Sequence, residues 1–100
     1  MNISERKDKN EKASIPENPL PLNIPETDIE LISRSVHDAW QQERRRQGWI
    51  YGSITDRDQK THESMIPYDN LNEEEKELDR QTVRRVISML FSLGYKIEKL

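Results

Sequence analysis

Two histidines, three consecutive arginines and a run of acids are the side chains in this 100-residue chain that could do chemistry, and each chemistry demands a spacing. His37 follows Ser33 and Ser35 on one predicted helix, a set that could supply a nucleophile and a base. It lacks the glycine-flanked turn that presents a nucleophile and the third group that orients a base, so no catalytic residue is expected and the chain reads as a non-enzyme. His37 has Asp38 beside it and Glu30 seven places back, but neighbours in sequence point to different sides of a helix. With His62 the only other histidine, too few nitrogen or sulfur ligands converge for zinc, so neither metal nor cofactor is expected. The acids of Glu73-Glu74-Glu75-Lys76-Glu77 are contiguous and glycine-free, whereas a calcium loop alternates its oxygen ligands around a glycine turn. They suit the start of a helix instead.

Binding chemistry is better represented, in Arg46-Gln47-Gly48-Trp49-Ile50-Tyr51-Gly52. A helix that stops at a glycine hands the chain to a tight turn, and an aromatic placed there either packs inward or offers a flat face to a ligand. The residues alone leave both readings of Trp49 open, a lid over the end of the core or a platform on which a base could stack. Tyr51 and Tyr68 either line the same cleft or cover the helices with their hydroxyls in water. Arg44, Arg45 and Arg46 fall in the last turn of the helix, where the dipole favours cations, and a guanidinium beside Trp49 would also suit a phosphate. The candidate ligand set is therefore Trp49, Tyr51, Tyr68 and Arg46. Trp40, by contrast, continues an apolar stripe and is expected in the core.

Composition limits what can surround such a site. Charged residues make up 35% of the chain and apolar ones 32%, which leaves material for one thin core. Residues 1–24 carry no aromatic residue and no periodicity, begin with a charged run and contain Pro16, Pro19 and Pro21, so they are expected to form a disordered or extended arm, with the folded domain at 25–100. From Thr27 onward 12 Lys and Arg stand against 14 Asp and Glu, interspersed, which is poor electrostatics for a nucleic-acid binder. Without cysteine there is no disulfide or thiolate site, and no apolar run is long enough to span a bilayer. With no apolar stretch behind the N-terminal charges to make a secretory signal, a soluble, cytoplasmic protein without membrane or nucleic-acid partners is expected.

Two helices must position the candidates. Thr27-Asp28-Ile29-Glu30 has the form of a capping box, opening a helix to about Gln47 whose stripe is Ile29, Ile32, Val36, Ala39 and Trp40, with Gly48 as its stop. No helical period holds from Trp49 to Leu71. Residues 56–60 are polar and predict a surface loop, and Pro67 makes Met65-Ile66-Pro67-Tyr68 a non-helical strap. Asn72 is a second cap, opening a short turn that ends at Leu78. Asp79 then caps a last helix carrying Val83, Val86, Ile87, Leu90 and Phe91, and Gly94 stops it. Tyr95-Lys96-Ile97-Glu98 alternates as a short strand would. The fold class is mainly α (α+β): two amphipathic helices packed together with an irregular strap and short extended segments. Its expected core is Ile32, Val36, Trp40, Val83, Val86, Ile87, Leu90 and Phe91.

The motifs Val36-His37-Asp38-Ala39-Trp40, Arg46-Gln47-Gly48-Trp49-Ile50-Tyr51-Gly52, Met65-Ile66-Pro67-Tyr68 and Leu93-Gly94-Tyr95-Lys96-Ile97 together resemble the ryanodine-receptor repeat (RyR) domain, in the order and at the spacing of that family. The resemblance runs from about Ile29 to Ile97 and is closest to the lone prokaryotic or phage type. It departs before the strap, where the family often has Asn or His followed by Pro and this chain has His62 followed by Glu63. The resemblance implies a non-enzymatic sensor domain with an aromatic cleft, in which Trp49 stacks on a nucleotide-like or flat aromatic small molecule, an adenine-nucleotide-derived one included. It also implies that a second copy, as in a homodimer, would supply the other half of a clamp. The alternative is a protein–protein interaction module that docks a partner chain on the same aromatic patch.

Overall fold

A computed structural model of the chain describes residues 24–100. Of the expected arm only Ile24 falls in that range, and it packs against the core; the rest lies outside the described residues. Two long helices, α1 (Glu26–Arg46) and α2 (Glu73–Ser92), are joined by a segment holding strands β1 (Ile50–Tyr51) and β2 (Thr61–His62) and a 3-10 turn, Tyr68–Asn70. The helices run antiparallel, since Glu26 meets Arg84 while Glu30, a turn later, meets Arg80. Mainly α with short extended pieces is therefore the architecture.

Both glycine stops form as the sequence predicts. Gly48 has φ +95° and Gly94 φ +96°. The amides of Gly48 and Trp49 bond to the carbonyls of Arg45 and Arg44, and those of Gly94 and Tyr95 to Phe91 and Leu90. These are paired Schellman bonds, which satisfy the last carbonyls of each helix. At its start α2 is capped by Asn72, whose Oδ1 accepts from the Glu75 amide at 2.8 Å.

Three expectations are corrected. The Thr27–Glu30 capping box does not form: α1 starts at Glu26 with Pro25 as its N-cap and no side-chain cap. Thr27 thus already lies inside the first turn, where the Asp28 and Ile29 amides bond to the Pro25 carbonyl, and the Glu30 carboxylate instead accepts from Arg80 Nε and Nη2 at 2.7 and 3.2 Å. Second, α2 is one continuous helix through Leu78 and Asp79. With no glycine or proline between Glu73 and Ser92, nothing interrupts its backbone ladder. Asp79 is thus an interior helical residue. Third, Tyr95–Glu98 forms no strand, since the one strand pair described is β1 with β2.

The core is also rotated from the expected stripe. Ile29 is fully buried and clusters with Val83 and Ile87, flanked by Ile24, Phe91 and Ile97. Along α1 the buried face is Ile29, Ser33, His37 and Gln41, whereas Ile32 and Val36 are 40% and 39% exposed and Val86 on α2 is exposed as well. This orientation buries Ile29 and sets the 26–30 side of α1 over α2, where Glu26 pairs with Arg84 and Glu30 with Arg80. The polar side chains this buries are satisfied locally: Ser33 Oγ donates to the Ile29 carbonyl at 2.7 Å, and Gln41 Oε1 accepts from Arg45 at 3.0 Å. Met65, Tyr68 and Leu71, from the strap and the turn after it, complete the buried apolar set.

Strands β1 and β2 pair in parallel, Ile50 opposite Thr61 and Tyr51 opposite His62. Around the loop between them Asp56 Oδ1 accepts from the amides of Asp58 and Gln59, and the loop returns through Lys60 at φ 56°. Lys60 Nζ then donates to the Gln47 carbonyl at 2.9 Å, so the loop end clasps the end of α1.

Candidate functional site

Between the two helices lies a cleft of about 230 Å³. Val36, His37 and Trp40 of α1 form one wall, and Leu71 with Glu75, Leu78 and Asp79 of α2 the other; His62 and Ser64 close the end. The spacings are helical. His37 and Trp40 are three residues apart, and Glu75 and Asp79 four, so each pair shares one face of its helix.

Each polar group in the cleft is held by a specific bond. His37, only 5% exposed, has Nε2 2.8 Å from the Ile66 carbonyl oxygen. A carbonyl only accepts, so Nε2 carries a proton and donates it to Ile66. The Nδ1 of the same ring lies 3.9 Å from Asp79 Oδ2. His62 carries its proton on Nε2 for the mirror reason: its Nδ1 accepts from the Ser64 amide at 3.0 Å. Ser64 in turn donates its hydroxyl to Glu75. Burial pushes the Asp79 carboxyl above its ordinary value, with the nearby Glu75 charge adding to the rise and His37 opposing it.

The aromatic lining is continuous. Trp40 stacks on His37 with ring centroids 5.6 Å apart, and His62 meets Trp40 edge-on at 5.0 Å. Trp40 is therefore half-buried and also part of the cleft wall, a role that its place in the stripe did not reveal.

The four residues singled out from the sequence are not gathered around this space. Trp49 is half-buried behind His62, at 6.4 Å between ring centroids. One face is covered by the guanidinium of Arg44 at 4.8 Å. Tyr51 is exposed on β1. Arg46 is exposed and held bidentately by Glu43, which keeps the Glu43 carboxyl below its ordinary value.

Tyr68 is 2% exposed, enclosed by its own chain. Arg34 and Lys76 flank its ring at 5.3 and 5.8 Å. Its hydroxyl makes no hydrogen bond of normal geometry among the described residues. It nonetheless lies close enough to Glu30 to help lower that carboxyl, an effect dominated by the bonds from Arg80, while burial pushes the phenol itself up.

Sequence reasoning missed Trp40, His62, Glu75 and Asp79 as neighbours. The i,i+3 and i,i+4 spacings were visible, but nothing local says that the two faces meet. Among the described residues no three His, Asp or Glu side chains converge to hold a metal ion, and no helix is long and apolar enough to cross a membrane. In comparison with known families, the model described as the RyR domain matches residues 20–99.

Proposed function

The chain belongs to the RyR domain family, and from that premise we propose that it is a non-enzymatic binding module whose cleft between α1 and α2 receives a flat small ligand. The observation that carries this reading is the juxtaposition of Trp40, His37 and His62 around a concave space that also exposes polar atoms. Apolar and aromatic walls with a few placed polar groups are the usual make-up of a ligand site. At about 230 Å³ the space is smaller than the roughly 300–1,000 Å³ that encloses drug-sized molecules, so it suits one ring system and not a whole nucleotide. A nucleotide-derived ligand would enter base first, because two carboxylates and neither Lys nor Arg stand among the described lining residues.

The test is thermal shift and tryptophan fluorescence with adenine, adenosine and adenosine phosphates on wild type, Leu78→Trp and Trp49→Ala. Leu78 is exposed at the cleft wall, so a tryptophan there fills the opening without disturbing the core. Binding that survives Trp49→Ala and is lost in Leu78→Trp supports the cleft. The opposite pattern moves the site to the turn at Trp49, and no shift with any compound removes this reading.

A protein-docking role is favoured by a different observation. Val36 and Leu78 at the cleft are exposed, Ile32 lies a turn from Val36, and Val86 lies two turns from Asp79. Exposed apolar residues grouped in this way are a mark of interaction surfaces. Sedimentation of wild type against Val36→Glu reads out a homodimer formed through this face: the variant should shift to a slower-sedimenting monomer, and identical sedimentation of the two speaks against it.

A further inference from the structure

We propose that the preferred occupant of the cleft is a planar organic cation with N–H donors on its edge, an amidinium or guanidinium, held by the carboxylates of Asp79 and Glu75. This rests on the cleft being a ligand site. The lining sets two carboxylates, those of Asp79 and Glu75, opposite the aromatic rings of Trp40, His37 and His62. The Nδ1 of His37, a ring 5% exposed, faces the Asp79 carboxylate at 3.9 Å.

Among the described residues neither Lys nor Arg lines the cleft beside the two acids. The arginines of this region are engaged elsewhere, Arg80 with Glu30, Glu73 and Glu77, and Arg84 with Glu26 and Glu77. A partly desolvated carboxylate without a counter-charge is costly, and a bound cation removes the cost. Glu75 and Asp79 lie one turn apart on α2, so their oxygens can receive two N–H groups from one planar fork. The flat body of the ligand would then rest along Trp40 and His62, where a cation over an aromatic face gains further. A phosphate or carboxylate meets like charge in the same place.

The experiment compares isosteres at pH 7.5 on the full chain. Benzamidine, neutral benzamide and anionic benzoate are titrated and followed by NMR shifts of the Trp40 indole, with N-acetyl-arginine amide against N-acetyl-citrulline amide as a second pair. The first pair represents a free small molecule and the second a peptide side chain. In each pair the cation should bind at least about tenfold more tightly than the neutral compound, and Asp79→Asn should remove most of that difference. Glu74→Gln, an exposed acid outside the lining, should leave it intact.

Equal binding of benzamide and benzamidine overturns the charge assignment and leaves the cleft as a ligand site. Equal weakening by Glu74→Gln and Asp79→Asn also overturns it, as diffuse surface attraction. If no compound here moves the Trp40 signal while Leu78→Trp still blocks adenosine, the cation reading alone fails. If adenosine is not bound either, both readings fail.

Discussion

His37 Nε2 donates to the carbonyl of Ile66 across 2.8 Å, and this bond ties the first helix to the strap at a residue 29 positions away. It fixes the strap against α1 and leaves Nδ1 turned to Asp79. His37→Ala would leave the Ile66 carbonyl without this donor and remove the stack on Trp40. The expected loss is about 2–4 kcal/mol in urea unfolding, the sum of an unpaired buried acceptor and a cavity.

The rotated core gives a contrast between two isoleucines three residues apart. Ile29→Ala empties a fully buried site and should cost about 2–4 kcal/mol. Ile32→Ala, at a 40% exposed site, should cost about 1 kcal/mol or less. Equal costs in chemical denaturation would mean that α1 is rolled back toward the stripe read from the sequence.

Two glycines should respond to alanine for different reasons. A Cβ on Gly52 would stand 2.5 Å from the Thr61 Cβ, an atom next to the backbone that cannot swing away, so Gly52→Ala should separate β1 from β2 at a cost of about 1–3 kcal/mol. Gly94 has open space around its missing Cβ but φ +96°, so Gly94→Ala carries conformational strain alone, about 1 kcal/mol. Amide exchange separates the cases: only Gly52→Ala should speed exchange of the Ile50 amide, which bonds to Lys60.

Asp79 and Glu30 should drive stability in opposite directions with pH. The Asp79 carboxyl is raised from its ordinary 3.8 by burial and by Glu75, against the effect of His37. Its contribution to stability is therefore full below that value and is lost as pH rises through the raised one. Asp79→Asn escapes this loss, so its melting temperature relative to wild type should climb as pH rises from 3.8 and then level off toward neutrality. A falling difference over that range would contradict the burial assignment.

Glu30 is held below its ordinary 4.5 mainly by the Arg80 bonds, and Glu77 by bonds from Gln81 and then Arg80. Their contribution is full above 4.5 and drains as pH falls through the depressed values. Arg80→Met removes the shared partner, so stability plotted between pH 4.5 and 3 should fall less steeply in the variant than in wild type. Parallel curves from circular dichroism would show that the pairing adds nothing.

Signals confined to a few residues were legible in the sequence. Gly48 and Gly94 stop their helices, Asn72 caps α2, Pro67 keeps Met65 and Ile66 out of a helix although Tyr68 opens a 3-10 turn, and the ordered motifs give the RyR family. Each of these depends on backbone dihedrals or on hydrogen bonds within a turn or two, which neighbouring residue types dictate. The buried face of α1, the unbroken run of α2 through Asp79, and the meeting of Trp40, His62, Glu75 and Asp79 were settled by tertiary structure. Glu30 was free to cap its own helix or to pair with Arg80, 50 residues on, and the bidentate bond to Arg80 formed in place of the local one. The same orientation of α1 that allows this bond buries Ile29 and His37 and turns Ile32 and Val36 outward. The sequence contains every participant, but the free energy that selects among them comes from contacts between distant segments, which no local pattern encodes.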